Sequence, residues 1–279
     1  MRFDSFPRRR LACSAALFLG VLLAVSPLAT LSAKKAGNGA ASDGHIIDTV
    51  EGPISFEPNR GQADQPVEFI ARGPGYTLCL SHDVALLSFE IRVSPEIRVS
   101  PIDRGTRSFA LTLVGTNVAA GFIPENELPT KSSYFPGSDP KNWHTGIPNF
   151  ARVQFQDVYP GIDVGYHGSH GRLEYDFVIA SGARPSLIDL EFSGAGNPIL
   201  NARGTLLLKN GQVEARLHRP FAYQNLERGR RSVRARYVLH KNHIKFALGS
   251  YDSSKPLMIN PVMSYVVQPN ADGSPMPTR

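Results

Sequence analysis

Cysteine and tryptophan are nearly absent from the sequence, which has two cysteines and one tryptophan among 279 residues. A disulfide-stapled scaffold needs several cysteine pairs, so that class of protein is excluded. Cys79 alternates with Leu78 and Leu80 in "YTLCL", which predicts a buried, unreactive thiol rather than a nucleophile. Amphipathic helical patterns are also lacking, as are the G-x-S-x-G, H-E-x-x-H and P-loop motifs. The common hydrolase, metalloprotease and nucleotide-binding signatures therefore do not explain this chain.

The N-terminus has the three parts of a secretory signal peptide. Four arginines lie at its start, and residues 11–33 carry no charge, with the densest apolar part at "LACSAALFLGVLLAV". Pro27 breaks the run and small residues follow, so we expect cleavage after Ala33. The mature chain is then exported to the periplasm, the cell surface or the medium, without a membrane span. An uncleaved membrane anchor is the alternative, because the run approaches the length of a span.

Removal of residues 1–33 lowers the net charge from +6 to +3, with 26 basic and 23 acidic side chains remaining. The basic character of the full chain thus belongs mostly to the signal peptide, and composition does not favour nucleic acid as a partner. For the remainder we expect a flexible linker at residues 34–45 and a β-sandwich domain at 46–265. A disordered tail is expected at 266–279, which holds few apolar residues.

Alternation of apolar and polar residues is the main pattern of the mature sequence. In "RLEYDFVIA", Leu173, Tyr175 and Phe177 point to one face, and Glu174 and Asp176 point to the other. "SFALTLVG", "RARYVLH" and "HIKFALG" repeat the pattern, and the Asn-Gly pair in "TLLLKNGQVEAR" predicts a tight hairpin. The pattern predicts an all-β fold, either an antiparallel β-sandwich or an extended double sheet, with division into two lobes as a variant.

Five prolines lie between residues 124 and 149. Their density predicts an irregular crossing, and this segment is the expected place for a division into two lobes. Trp143 lies here, in "DPKNWHTG". It is either a loop anchor packed on the core or an exposed aromatic contact for sugar, and we favour the anchor.

The segment "FEPNRGQ", residues 56–62, predicts a turn held by its own side chains. Pro58 fixes one backbone angle, and Asn59 suits a turn position. Asn59 or Gln62 would satisfy backbone groups, and Glu57 and Arg60 would pair across the turn.

Several separated blocks resemble a known family: "FEPNRGQADQPVEFIARGPGYTLCL", "NELPTKSSYFPGSDPKNWHTGIPNFARVQFQDVYPGIDVGYHG", "RLEYDFVIASGARP" and "YDSSKPLMINPV". The family is a bacterial β-rich domain of unassigned function, commonly N-terminal to SBBP-type β-propeller repeats in large exported proteins. The resemblance runs from about Ile54 to Val262 and implies secretion and an all-β fold, with no reaction, ligand or catalytic residue. The sequence ends about a dozen residues after "MINPVMSYVV", where a propeller would begin. We therefore expect a free-standing copy or a truncated remnant.

Carboxylates and histidines gather in "DVYPGIDVGYHGSHGRLEYD". Glu174 and Asp176, two positions apart on a strand, have a spacing compatible with the carboxyl pair of a glycosidase, and Asp163 is a third candidate. His167 and His170 are candidate metal ligands, although zinc sites usually take three or four ligands. A solvated strand face has the same pattern and is favoured, so we expect no cofactor.

Arginines cluster in "ERGRRSVRAR". Arg228, Arg230 and Arg231 are candidate binding residues, together with Trp143, and the expected partners are an envelope protein or an anionic glycan. Nucleic acid is not expected, because no aromatic residue lies within the cluster.

The function that these patterns favour is an exported, non-enzymatic interaction or scaffold module of the cell envelope or extracellular space. The alternative is a carbohydrate-active or metal-assisted hydrolase that uses the clustered carboxylates and histidines.

Overall fold

The computed structural model describes residues 54–73, 75–91, 105–117, 120–169 and 172–267. The expected signal peptide and linker lie outside the described residues, as do His170 and the expected tail from residue 268 onward. The last strand ends at Val267, two residues beyond the expected end of the domain.

The described part of the chain forms nineteen strands and two short 3-10 helices. The strands are β1 (Phe56–Pro58), β2 (Phe69–Gly73), β3 (Tyr76–Leu80), β4 (Val84–Ile91), β5 (Gly105–Leu113), β6 (Phe122–Tyr134), β7 (His144–Tyr159), β8 (Ile162–Ser169), β9 (Arg172–Ile179), β10 (Leu190–Ser193), β11 (Ile199–Leu200), β12 (Leu206–Asn210), β13 (Val213–Leu217), β14 (Phe221–Leu226), β15 (Gly229–Val233), β16 (Ala235–His240), β17 (His243–Leu248), β18 (Leu257–Asn260) and β19 (Met263–Val267). The helices span Pro140–Asn142 and Pro185–Leu187. Among the described residues, no helix has the length and apolarity needed to cross a membrane.

Fifteen strands form one antiparallel sheet, and four form a second. The large sheet follows the path β15-β14-β18-β9-β8-β7-β1-β2-β3-β4-β5-β10-β17-β16, with β6 added beside β7. The first and last strands of this path, β15 and β16, are consecutive in the chain with only Arg234 between them. The sheet therefore returns on itself, and strands far apart along the path face each other.

The core lies between these facing layers. Phe177 on β9 meets Phe246 on β17 with ring centroids 5.7 Å apart. The small sheet, with the order β11-β12-β13-β19, packs against the large one through Tyr265, whose ring lies 4.8 Å from that of Phe89. The predicted all-β double-sheet fold is confirmed.

The alternation read from "RLEYDFVIA" is also confirmed. On β9, Leu173, Tyr175 and Phe177 are buried in the core. Glu174 and Asp176 point to the opposite face, and both carboxylates lie within hydrogen-bond reach of Asn260 on β18.

The proline-rich segment is a long hairpin, so the prediction of an irregular crossing is wrong. Strand β6 has 13 residues and β7 has 16. In the described part of the chain, β6 pairs only with β7, and none of its residues is buried. Edge strands and irregular positions are where a sheet tolerates proline, and Pro129 lies in the register shift between Glu127 and Lys131 of the edge strand β6. Division into two lobes stays a prediction.

The predicted turn at "FEPNRGQ" is confirmed. The Asn59 side-chain oxygen accepts hydrogen bonds from the backbone N–H groups of Gly61 and Ala63, each at 3.1 Å. Gln62 Nε2 donates to the carbonyl of Pro58 at 2.9 Å. The expected pairing of Glu57 with Arg60 is wrong, because the Glu57 carboxylate contacts Arg72 and Tyr134.

Candidate functional site

Asp176 is the centre of a polar cluster on the outer face of β7, β8, β9 and β18. Asn260 Nδ2 donates to one carboxylate oxygen at 2.7 Å. His167 Nε2 lies 2.9 Å from the other oxygen, and Arg152 Nη1 lies 3.4 Å from it. Glu174 is a peripheral member, with Oε2 at 3.5 Å from Asn260 Nδ2. These five residues are called the Asp176 cluster below.

Gly165 makes room for this arrangement. It lies directly opposite Asp176 in the β8–β9 ladder. A Cβ at this position would lie 2.0 Å from Arg152 Nη2, so glycine gives the guanidinium the room that it occupies on its way to Asp176. Arg152 also makes a salt bridge with Glu125 on β6 at 3.3 Å. The cluster thus connects four neighbouring strands of the sheet and β6.

Asp163, the third candidate carboxylate, belongs to a separate group. Its Oδ2 accepts from Gln154 Nε2 at 2.8 Å, and its Oδ1 accepts from the backbone N–H of Asp157 at 2.7 Å. The three carboxylates proposed for catalysis therefore share a sheet face but not one reaction centre. Asp176 in particular already has three contacting donors.

Metal binding gains no support from the described residues, where no group of three His, Cys, Asp or Glu side chains is placed to hold an ion. His167 contacts Asp176, and its proposed companion His170 lies outside the described residues. His240 and His243 lie opposite each other at the β16–β17 turn. His243 Nδ1 lies 3.0 Å from Asp189 Oδ1.

A buried carboxylate that the sequence did not indicate lies at Glu57. Its Oε1 accepts hydrogen bonds from Arg72 on β2 and from the hydroxyl of Tyr134 on β6. Its Oε2 is buried and has no hydrogen-bond partner among the described residues. Partial burial and the hydrogen bond to Glu57 together raise the pKa of Tyr134 well above its ordinary value, so this phenol stays protonated and donates. The contact joins residues 77 positions apart, so no local pattern could have predicted it.

The tip of the β6–β7 hairpin, residues 134–144, carries two exposed aromatic side chains. Phe135 is 53% exposed and Trp143 is 41% exposed. Their rings meet edge to face, with centroids 5.2 Å apart and planes at 85°. The favoured interpretation of Trp143 as an anchor on the core is therefore wrong. The short helix Pro140–Asn142, capped by Asp139, ends immediately before Trp143 and keeps the loop compact without core contacts.

The arginine cluster also differs from its sequence-based interpretation. Arg230 on β15 stacks over the ring of Tyr223 on β14, with the guanidinium carbon 3.9 Å from the ring centroid. Phe221 is 46% exposed, and its ring lies 5.5 Å from that of Tyr223 at an angle of 31°. Aromatic residues thus do accompany the arginines, across the strand ladder rather than along the chain. Arg228, in the turn, and Arg231, whose side chain points to the opposite face of β15, are also exposed.

A family model described as a domain of unknown function, DUF7948, matches residues 56–262. No curated protein and no solved structure matches the chain.

Proposed function

The chain belongs to the DUF7948 family of domains of unknown function, and on that premise we propose that it is an exported, non-enzymatic interaction module of the cell envelope or extracellular space. The observation that carries the proposal is the pair of exposed aromatic side chains, Phe135 and Trp143, at the hairpin tip. Large aromatic rings bury much area on binding and lose little side-chain entropy, so they are enriched where proteins contact partners.

The hairpin tip is supported from both sides by the turn at residues 56–62. Tyr134, which precedes Phe135, donates to the buried carboxylate of Glu57. His144, which follows Trp143, packs so closely on Gly61 that a Cβ there would lie 2.6 Å from the imidazole Cε1. Tyr134 and His144 also pair with each other in the β6–β7 ladder. The aromatic pair therefore stands on a fixed base, and a partner need not order it on binding.

Export is part of the proposal, and the N-terminal sequence supports it. A basic start, an uncharged apolar run and a small-residue exit precede the domain. The resemblance to domains that precede SBBP-type propellers in large exported proteins points to the same location. A fusion of the full-length chain to a reporter that is active only outside the cytoplasm tests this. We expect activity that is lost when residues 1–33 are removed, and activity that is independent of these residues would contradict export.

Photo-crosslinking in the native cell tests the contact itself. A photoreactive amino acid is placed at Phe135 or at Trp143 in the full-length chain, and at Val238 as a control. Val238 is 39% exposed but lies on β16. We expect one discrete crosslinked product from both tip positions and none from Val238. The same products from all three positions, or none from the tip, would contradict the proposal.

The hydrolase alternative has a direct test as well. Glu174 is the least engaged carboxylate of the Asp176 cluster, so Glu174→Ala is expected to leave folding intact. Turnover of a polysaccharide by the wild-type chain, abolished in this variant, would replace the proposed function by a catalytic one.

A further inference from the structure

A second exposed surface, at one end of the large sheet, is formed by Phe221, Tyr223 and Arg230 and is called the arginine–aromatic surface. Phe221 and Tyr223 lie two residues apart on β14, so both side chains point to the same face. Their rings are inclined by only 31° and lie side by side, which makes one nearly continuous apolar platform. Arg230 on β15 covers the ring of Tyr223, and Phe221 stays open.

The guanidinium of Arg230 makes no side-chain hydrogen bond within the part of the chain that the structure describes. Within the described residues, no carboxylate lies within salt-bridge distance of it, although other exposed cations such as Lys209 and Lys245 do have such partners. The guanidinium carbon of Arg230 lies 3.9 Å from the Tyr223 ring centroid, and a guanidinium over a ring face directs its N–H groups outward in its own plane, above the ring. These groups form the planar fork that binds a carboxylate with two parallel hydrogen bonds. Stacking also fixes the side chain beforehand, so less entropy is lost on binding.

We propose that the arginine–aromatic surface binds a polysaccharide that contains uronic acid residues. The apolar face of one sugar lies on Phe221, and the carboxylate of the same or the next sugar accepts hydrogen bonds from Arg230. The charge is complementary at Arg230 itself, whereas the β14–β15 turn carries both Glu227 and Arg228, each exposed, and so adds no net charge. A polymer outside the cell is the ligand that the proposed export makes available, and the inference takes that location from the proposed function.

Single-stranded nucleic acid is the other polymer that stacks on aromatics and carries anions. Its sites combine several stacking rings with a groove of positive charge that follows the phosphates. Here the neighbouring Arg231 pairs in register with Gln224, whereas Arg230 pairs with Asn225, so the two arginines point to opposite faces of β15. One cation per face, beside one aromatic platform, suits a carboxylated sugar better than a phosphate backbone.

Titration of the purified full-length chain with polygalacturonate tests the proposal. The matched ligand is the same polymer after methyl esterification, which keeps the sugar faces and removes the charges. The matched variants are Arg230→Lys, Arg230→Ala and Phe221→Ala, with Arg236→Ala on β16 as a control that removes an equally exposed arginine. The three side chains that these variants change are all exposed, and circular dichroism checks that each variant folds.

We expect binding of polygalacturonate that weakens at least about tenfold in the three surface variants and less than about twofold in Arg236→Ala. Arg230→Lys keeps the charge but loses the planar fork, so its defect separates carboxylate recognition from general attraction. Equal binding of the esterified polymer, or an equal loss in Arg236→Ala, would overturn the proposal. Tighter binding of an oligothymidylate, sensitive to the same variants, would assign the surface to nucleic acid. If neither polymer binds, the proposed uronic acid site is also overturned. Failure of export or of the hairpin-tip contact is a separate result, because the reporter and crosslinking experiments measure it.

Discussion

The Asp176 cluster and the arginine–aromatic surface are neighbours on one sheet, yet their charges are used in opposite ways. Asn260 of the cluster pairs in register with Phe221 of the surface. Asp176 is almost completely buried and contacts three donors, all from the protein itself. Arg230 is exposed and stacks on Tyr223, with no carboxylate partner among the described residues. The difference supports the interpretation that the Asp176 cluster stabilises the fold and that Arg230 and Tyr223 form part of the proposed ligand surface.

Replacement of Asp176 is expected to have the largest effect on stability. Asp176→Ala leaves Arg152, His167 and Asn260 without the buried carboxylate that they share. Loss of one partner from a buried ionic network costs about 3 kcal/mol of unfolding free energy. Urea unfolding measures this, and Glu174→Ala on the same face is the matched control, with an expected cost below about 1 kcal/mol. Equal costs for the two variants would remove the distinction between the centre and the periphery of the cluster.

The next largest effect is expected at Gly165. Gly165→Ala forces the guanidinium of Arg152 away from Asp176, at a cost of about 1–2 kcal/mol. The same substitution in an Arg152→Ala background should cost much less, because the clash is already gone. A double-mutant cycle by urea unfolding gives this coupling. Full additivity would show that Gly165 is needed for some other reason.

The features of the fold that depend on neighbouring residues could be predicted from the sequence. Strand alternation requires only neighbouring residues, so the opposite faces of Leu173 and Glu174, the Asn-Gly hairpin and the "FEPNRGQ" turn could all be read from the chain. Only part of the Asp176 cluster could be predicted from the sequence. Its carboxylates lie on one strand, but Arg152 and Asn260 come from strands 24 and 84 residues away. The one local signal was Gly165, a glycine inside a strand pattern.

The remaining errors have the same origin. The prolines between residues 124 and 149 led to the prediction of irregular structure. Whether a strand tolerates proline depends on how that position is paired, and the sequence does not show the pairing of β6. The absence of aromatics from "ERGRRSVRAR" argued against stacking. That prediction failed because Tyr223 lies outside this segment and reaches Arg230 across the β14–β15 ladder. Edge position and cross-strand register are tertiary properties that a single sequence does not reveal.

A third, smaller effect on stability is expected at Glu214 of the four-stranded sheet, a further carboxylate whose partners come from the protein itself. It should appear as a pH dependence of the melting temperature. Burial alone would raise the pKa of Glu214, but hydrogen bonds from Arg216 and Lys209 outweigh it and lower the pKa below the ordinary 4.5. Its contribution to stability is therefore complete above about pH 4.5 and is lost as the pH falls through the lowered pKa. Glu214→Gln should reduce the acid dependence of the melting temperature between about pH 5 and pH 3. An unchanged acid profile would show that this closed ionic group does not contribute in the expected way.

The smallest effect on stability is expected at the arginine–aromatic surface. Phe221→Ala and Arg230→Ala remove exposed side chains and one cation–π contact, so each should change the unfolding free energy by less than about 1 kcal/mol. Urea unfolding at neutral pH checks this. A cost near that of Asp176→Ala would mean that the surface is structural and would weaken its assignment to a ligand.

The most direct test of the account compares the affinity for polygalacturonate of Asp176→Asn and Arg230→Lys at a temperature where both variants are folded. We expect Asp176→Asn to bind as the wild-type chain does, despite its lower stability. Arg230→Lys should lose at least about tenfold in affinity at unchanged stability. The reverse result, with binding lost in folded Asp176→Asn and kept in Arg230→Lys, would place the ligand on the Asp176 cluster and contradict the account.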